Sequence, residues 1–528
     1  RRRHTRFRNV TGVQTCALPI SVTLDAGQSG AWQALGRAHQ ALNEMNEAIT
    51  AYRHAIDCDS RRAGAHLALG TLLLDLNQTG AVESLGQAAA LDPRSAPSAE
   101  RHARALAQAG RFTEALAEHE RARRLAPGDG AYVLSQAETL ADAGQHGLAD
   151  ELCRQMIGSP EIRPEDKALA YRRLAGRALA QGDASAACRD LDRAVALAPA
   201  RDDIRMRRAM LLLSLGQFEP GWKEFRSRFS RTLAGAGAIH AQPFPQPEWA
   251  GEDLREKTIL VWGEQGIGDD IVAASMLPDL AGRAGKVLVH TDARLEPLFA
   301  RSFPANVRFF ARVLPVQPEL LSDRIACQIA LGGLGEFLRP SWASFGAPRA
   351  YLRADPAKID SFRERYAALP GLKVGISWRS RNLVNGRVKS TTLGEWLPIL
   401  RLPGVTFVNL QYGDCAEELA RAQDAAGCRI CHDPDVDQLR DMDGFAAQVT
   451  SLDLVISVSN AIAHTAGALG IPTWVLLATD PLWLWFRDRD DSPWYPRARL
   501  FRQVSAGDWS EPVSQVAASL QGWSLPGP

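Results

Sequence analysis

Residues 259–277 read ILVWGEQGIGDDIVAASML. The apolar run 259–262 has the length and composition of a buried strand, and a helical pattern follows three glycines. A strand, a glycine turn and a helix form the opening unit of an α/β fold. The glycines are spaced G-x-x-G-x-G (Gly263, Gly266, Gly268), not the G-x-G-x-x-G of a dinucleotide loop. Two acids, Asp269 and Asp270, stand where the helix begins. A helix N-terminus attracts phosphate through its free N–H groups and dipole, and carboxylates placed there repel it. Two readings of Asp269 stay open: a base accepting a proton from a substrate hydroxyl, or an N-cap. Asp270 has no role at this level.

Outward from this loop, apolar runs alternate with helical patterns. Candidate strands are 259–262, 287–289, 307–310 and 326–329, then 374–377, 406–410, 454–458 and 473–477. The alternation predicts two parallel sheets with helices on both faces, separated near 351–371. Ligands of such folds sit beyond the carboxyl ends of the strands, so the expected site is the cleft between two lobes. Three further strand ends matter. The first, 377–396, carries Arg379, Arg381, Arg387 and Lys389 with no acid before Glu395; it suits a diphosphate or is a solvated loop. The second, NLQYGDC at 409–415, offers Gln411 to a base or ribose. The third runs from 458 into Ser459, Asn460, Ala461 and His464. Its helix start is free of acids and small enough for phosphate to approach. His464 either reaches a phosphate oxygen or is structural.

The first half repeats. Gly110, Gly144, Gly182 and Gly216 recur at spacings of 34, 38 and 34 residues. Trp32, Leu35, Gly36, Ala48, Tyr52 and Ala55 fall at the positions of a helix pair whose small residues permit close packing. Pro93, Pro127 and Pro199 close three units. The period resembles tetratricopeptide (TPR) repeats, five to six of which stack into a solenoid whose concave face takes a protein or peptide. A purely structural array is the competing reading.

The 528 residues carry 61 basic and 60 acidic side chains, net +1. This balance gives no electrostatic case for nucleic acid or an anionic membrane. No apolar run reaches the roughly 18 residues of a membrane span. Residues 1–20, RRRHTRFRNVTGVQTCALPI, are expected to be an artefactual or disordered segment. Scattered cysteines without a signal peptide point to reduced thiols and a cytoplasmic location. Cys428, Cys431 and His432 match C-x-x-C-H, read as coincidence inside an α/β region. RDRDD at 487–491 is read as a surface loop, and no metal cluster is expected.

The motifs Gly266-Ile267-Gly268-Asp269, Lys389 with Trp396, Ser459 to His464, and Thr479-Asp480-Pro481 together resemble family 9 glycosyltransferases, the heptosyltransferase-like group of the GT-B fold. The layout resembles bacterial TPR/glycosyltransferase proteins. The resemblance implies a TPR solenoid (21–230), a linker (231–254), an acceptor-side lobe (255–365) and a nucleotide-sugar lobe (366–528) with a C-terminal helix. It implies an inverting, metal-independent transfer of a hexosyl or heptosyl group from a nucleotide-diphosphate sugar, without a cofactor. Asp269 would be the base; Lys389, Asn460, Ala461 and His464 would hold the diphosphate. Ser459 stands where that family has an Asp on the donor sugar. The alternative is a TPR interaction scaffold with an inactive transferase module.

Overall fold

The computed structural model describes residues 28–230, 242, 244–264, 266–381 and 386–523; the segment expected to be artefactual lies outside them. The described residues form two compact units, divided between Leu174 and Ala175.

The first unit is built of antiparallel helix pairs: Ser29–Ala41 with Met45–Cys58, Ala63–Asp75 with Ala81–Leu91, Ala96–Gln108 with Phe112–Leu125, and Gly130–Asp142 with His146–Gly158. Small residues set the helix spacing. A β-carbon at Gly36 would lie 2.5 Å from the Tyr52 ring, so only glycine admits that ring. The turns between paired helices need a left-handed residue. Gly110 (φ 75°) and Gly144 (φ 76°) supply it in two pairs, and Asn43 (φ 63°) and Asn77 (φ 53°) in the other two. Asparagine tolerates this region best after glycine, which is why the glycine spacing alone misses the first two turns.

The second unit takes in the last repeat helices, Ala184–Leu197, Asp202–Ser214 and Phe218–Phe225, together with the α/β part. Leu213, Phe218, Trp222 and Phe225 belong to the same apolar core as Val261 and Ile271. The Trp222 indole N–H donates to the Arg339 carbonyl at 2.8 Å. The expected linker is corrected over 244–254. Here the chain runs along a sheet edge, with Trp249 N–H donating to the Gln328 carbonyl (2.8 Å) and Gln328 N–H to the Pro247 carbonyl (2.8 Å). Its prolines suppress further ladder bonds, hence the linker-like sequence.

Two parallel sheets follow. The first contains β1 (Thr258–Trp262), β2 (Lys286–Thr291), β3 (Val307–Ala311) and β4 (Ile325–Ala330), in the order β3-β2-β1-β4. The second contains β5 (Leu372–Ser377), β6 (Val405–Asn409), β7 (Ile430–Cys431), β8 (Leu454–Val458), β9 (Thr473–Leu477) and β10 (Ala498–Arg502), in the order β10-β9-β8-β5-β6-β7. This is a doubly wound order. All eight expected strands are present. Two-residue β7 and arginine-flanked β10 lack the apolar run that would have revealed them. In each sheet the chain reverses direction beside the first strand, between β1 and β4 and between β5 and β8, and there a crevice opens at the carboxyl ends.

Candidate active site

The loop after β1 is held from several sides. Arg228, at the end of the repeat region and only 2% exposed, clamps Glu264 through two bonds of 2.8 and 2.9 Å. Its guanidinium sits over the rings of Phe225 and Phe229. Glu264 also accepts from Gly332 N–H (2.9 Å), closing the crevice between β1 and β4. Arg312 donates to the Gly263 carbonyl at 3.0 Å.

Asp270 acquires a role here. It is buried, accepts from Thr291 Oγ1 at 3.1 Å and has Arg312 at 4.0 Å. Burial pushes its pKa up to about 7, against the pull of Arg312. Any side chain at Gly263 would collide with this carboxylate. Asp270 thus packs beneath the turn and ties it to β2 and Arg312.

The helix Ile267–Ala274 begins at Gly266, which is its N-cap. Asp269 therefore is not the cap, correcting one of its two readings; it stands in the first turn, its carboxylate interacting with the Gly266 amide. Its side chain is open to solvent, yet protein fills most of the space around it. Lost hydration, then Glu264, raise its pKa; Lys389 and the Gly266 amide oppose this. A carboxylate shifted this way is a stronger base.

Lys389 ends the one-turn helix Gly386–Lys389 beyond β5. It is 9% exposed; burial lowers its pKa, and Asp269 opposes that shift. Structure thus brings a sequence-predicted carboxylate and a sequence-predicted cation, 120 residues apart in the chain, into one crevice. The other predicted cations are placed differently. Arg379 is turned to the Asp414 carbonyl (3.0 Å) and Glu418 (3.5 Å), and Arg387 is exposed. Gln411 is a brace rather than a free donor: its Oε1 accepts from Ser377 Oγ, Trp378 N–H and Arg379 N–H at 3.1, 3.0 and 2.8 Å.

The helix Ala461–Ala468 starts at the crevice between β5 and β8. Asn460 caps it, accepting from Ile462 and Ala463 N–H at 2.9 and 3.3 Å while donating to Ser377 Oγ at 2.8 Å. Two amides expected to face phosphate are therefore already used by the cap. Ala461 remains half-buried at the helix start. Ser459 Oγ accepts from the Trp485 indole at 2.8 Å.

His464 is buried, stacked on Trp485 (5.1 Å, 11°), and 2.8 Å from Tyr495 Oη through Nδ1. Burial and then Lys389 lower its pKa to about 3, so it is neutral at physiological pH. Tyr351 donates to the Ile271 carbonyl at 2.8 Å. As a neutral group, His464 adds no positive charge to the crevice. Trp485, Tyr495 and Tyr351 carry no sequence signal, because nothing local distinguishes them from core aromatics. Gly268 brings this helix and the Asp269 helix together: a β-carbon there would be 3.1 Å from His464 Cδ2.

The remaining motifs resolve simply. Cys428 and Cys431 pack into different apolar clusters, so C-x-x-C-H gathers no common site. In RDRDD, Asp488, Asp490 and Asp491 are exposed as expected, but the Arg487 side chain is 11% exposed and bonds Asp480 at 2.5 Å. Among the described residues no three His, Cys, Asp or Glu side chains gather to hold a metal, and no helix is long and apolar enough to cross a membrane.

Comparison with known proteins agrees with the repeat region. Residues 29–61 match the tetratricopeptide repeat family model, and TPR repeats are present. The chain is similar to Protein FlbA of Caulobacter vibrioides, 35% identical over 373 residues. That match spans 67% of this chain and 62% of FlbA. Among solved structures, a glycosyl transferase family 9 protein from Veillonella parvula aligns at 11% identity and TM-score 0.37, over 48% of this chain and 88% of its own. A TPR protein of Thermus thermophilus aligns at 23% and 0.29, over 35% and 99%. Both scores are under 0.5, so neither likeness extends to function.

Proposed function

We propose that the chain is a glycosyltransferase of the GT-B type, moving a sugar from a nucleotide-diphosphate donor to an acceptor brought by the TPR repeats. The observation that carries this reading is the meeting of Asp269 and Lys389 at facing crevices of two doubly wound sheets. In the mechanism, Asp269 takes the proton of the acceptor hydroxyl. The hydroxyl oxygen attacks the anomeric carbon from the face opposite the diphosphate, and the bond to the diphosphate oxygen breaks with inversion. The leaving diphosphate gains negative charge, which Lys389 stabilises from a largely water-excluded position. His464, neutral and held by Tyr495, shapes the donor side rather than supplying charge. The reading needs no metal and no cofactor, and the concave TPR face takes a protein or peptide partner. A screen of UDP-, GDP- and ADP-sugars for donor hydrolysis, wild type against Asp269→Asn, tests it; equal turnover by both would remove Asp269 from the role.

One observation favours the second reading, a TPR scaffold with an inactive module. Ser459 Oγ, where the resemblance implies a donor-holding Asp, is occupied by the Trp485 indole. Calorimetric titration with the same sugars separates the two: no binding by any of them favours the scaffold.

A further inference from the structure

Next to Lys389 lies a cavity of about 280 Å³ whose wall is only partly made by the α/β part. The helix Asp202–Ser214, from the last repeat, contributes Arg207 and Met210; the segment after β9 contributes Asp480, Trp483 and Arg487. Arg207 Nη2 and Arg487 Nη2 each reach one oxygen of Asp480, both at 2.5 Å. Two guanidinium groups thus share one carboxylate, and Lys389 adds a third cation. Outside the lining, Asp269 acts on Lys389, while the acids beside Arg207 are engaged elsewhere. Asp203, on the same helix as Arg207, is taken by Arg201 at 2.8 and 2.9 Å. Asp202 faces Arg205 at 3.4 Å. Lys389, 9% exposed, forms no ion pair among the described residues. Arg207 and Asp480 keep 34% and 30% of their side chains exposed, so an anion from solvent can reach this net positive lining. Guanidinium groups are also suited to two-point recognition of phosphate and carboxylate.

We propose that this cavity is an oxyanion subsite of the donor–acceptor crevice, and that the last repeat helix supplies one of its ligands, Arg207. The subsite deepens the transferase reading and rests on it. The repeat array is then not only a recruiting arm; its final helix is a wall of the site. The oxyanion is either the donor's diphosphate or an acidic group on the transferred or accepting sugar. Asp480 occupies the arginines when the subsite is empty and yields them on binding.

The test is calorimetric titration of the full chain at low salt with pyrophosphate, UDP, GDP, ADP and glucuronate. Wild type is expected to bind at least one probe below 1 mM. Arg207→Met should weaken that probe at least tenfold, and Asp480→Asn should tighten it severalfold by freeing both arginines. Binding of the phosphates alone identifies the donor diphosphate; binding of glucuronate identifies an acidic sugar. If Arg207 and Asp480 were merely a structural clasp, both substitutions would weaken binding alike, and that result overturns the proposal. So does Arg207→Met binding within twofold of wild type, or no probe binding wild type. In the first of these cases, Lys389→Met weakening the nucleotides tenfold would leave the transferase reading intact while removing the subsite.

Discussion

Gly268 and His464 stand so close that a single β-carbon on residue 268 would come within 3.1 Å of the imidazole. This contact presses the Asp269 helix of the first sheet against the capped helix of the second, so the candidate base and the donor-side residues share one fixed geometry.

Widening that contact should damage function before stability. Gly268→Val forces the two helices apart by a fraction of an ångström. Misplacement on this scale costs about tenfold or more in turnover, whereas overpacking costs about 1–3 kcal/mol. Donor turnover should fall at least tenfold while thermal melting stays cooperative, dropping a few degrees.

The charges flanking Asp269 give opposite shifts in the pH profile. Lys389 lowers the Asp269 pKa and Glu264 raises it. The acidic limb of donor turnover should therefore move to higher pH in Lys389→Met and to lower pH in Glu264→Gln. Movement of both limbs in the same direction would contradict the assignment of that limb to Asp269.

Asp270 should leave a signature in stability rather than catalysis. Its folded pKa, about 7, lies above the ordinary carboxylate value of 3.8. The protonated form is favoured in the folded chain, so its contribution is fully present below pH 4 and is lost as pH rises through about 7. Denaturant unfolding of wild type should weaken relative to Asp270→Asn between pH 4 and 7, then run parallel above it. A difference independent of pH would contradict the burial argument.

Much of this architecture was legible in the sequence. Every strand but β7 and β10, and the repeat period, follow from apolar runs and glycine spacing. The first two repeat turns were hidden because Asn43 and Asn77 replace glycine. The site was legible only as separate strand ends. Asp269 and Lys389 carry their chemistry in their side chains, so they could be named. Gln411, Asn460 and Ser459 have the same polar character but spend it on neighbours (Ser377, the helix amides and the Trp485 indole). Sequence does not distinguish a polar group aimed at a ligand from one bonded within the fold. Arg228 and Arg207 were missed for the converse reason. Arg207 lies on a repeat helix and Arg228 in the turn after the last one, where arginine is ordinarily solvated, and only tertiary packing brings them to Asp480 and Glu264.

The central claim is that Asp269 is the base of a glycosyl transfer. Its most direct test pairs donor turnover with calorimetric donor affinity for wild type and Asp269→Asn, using the sugar nucleotide that wild type turns over. The account predicts turnover reduced by at least 100-fold, in line with loss of a general base, with donor affinity within about threefold of wild type. Unchanged turnover in the variant, or no nucleotide-sugar binding by the wild-type chain, would contradict it.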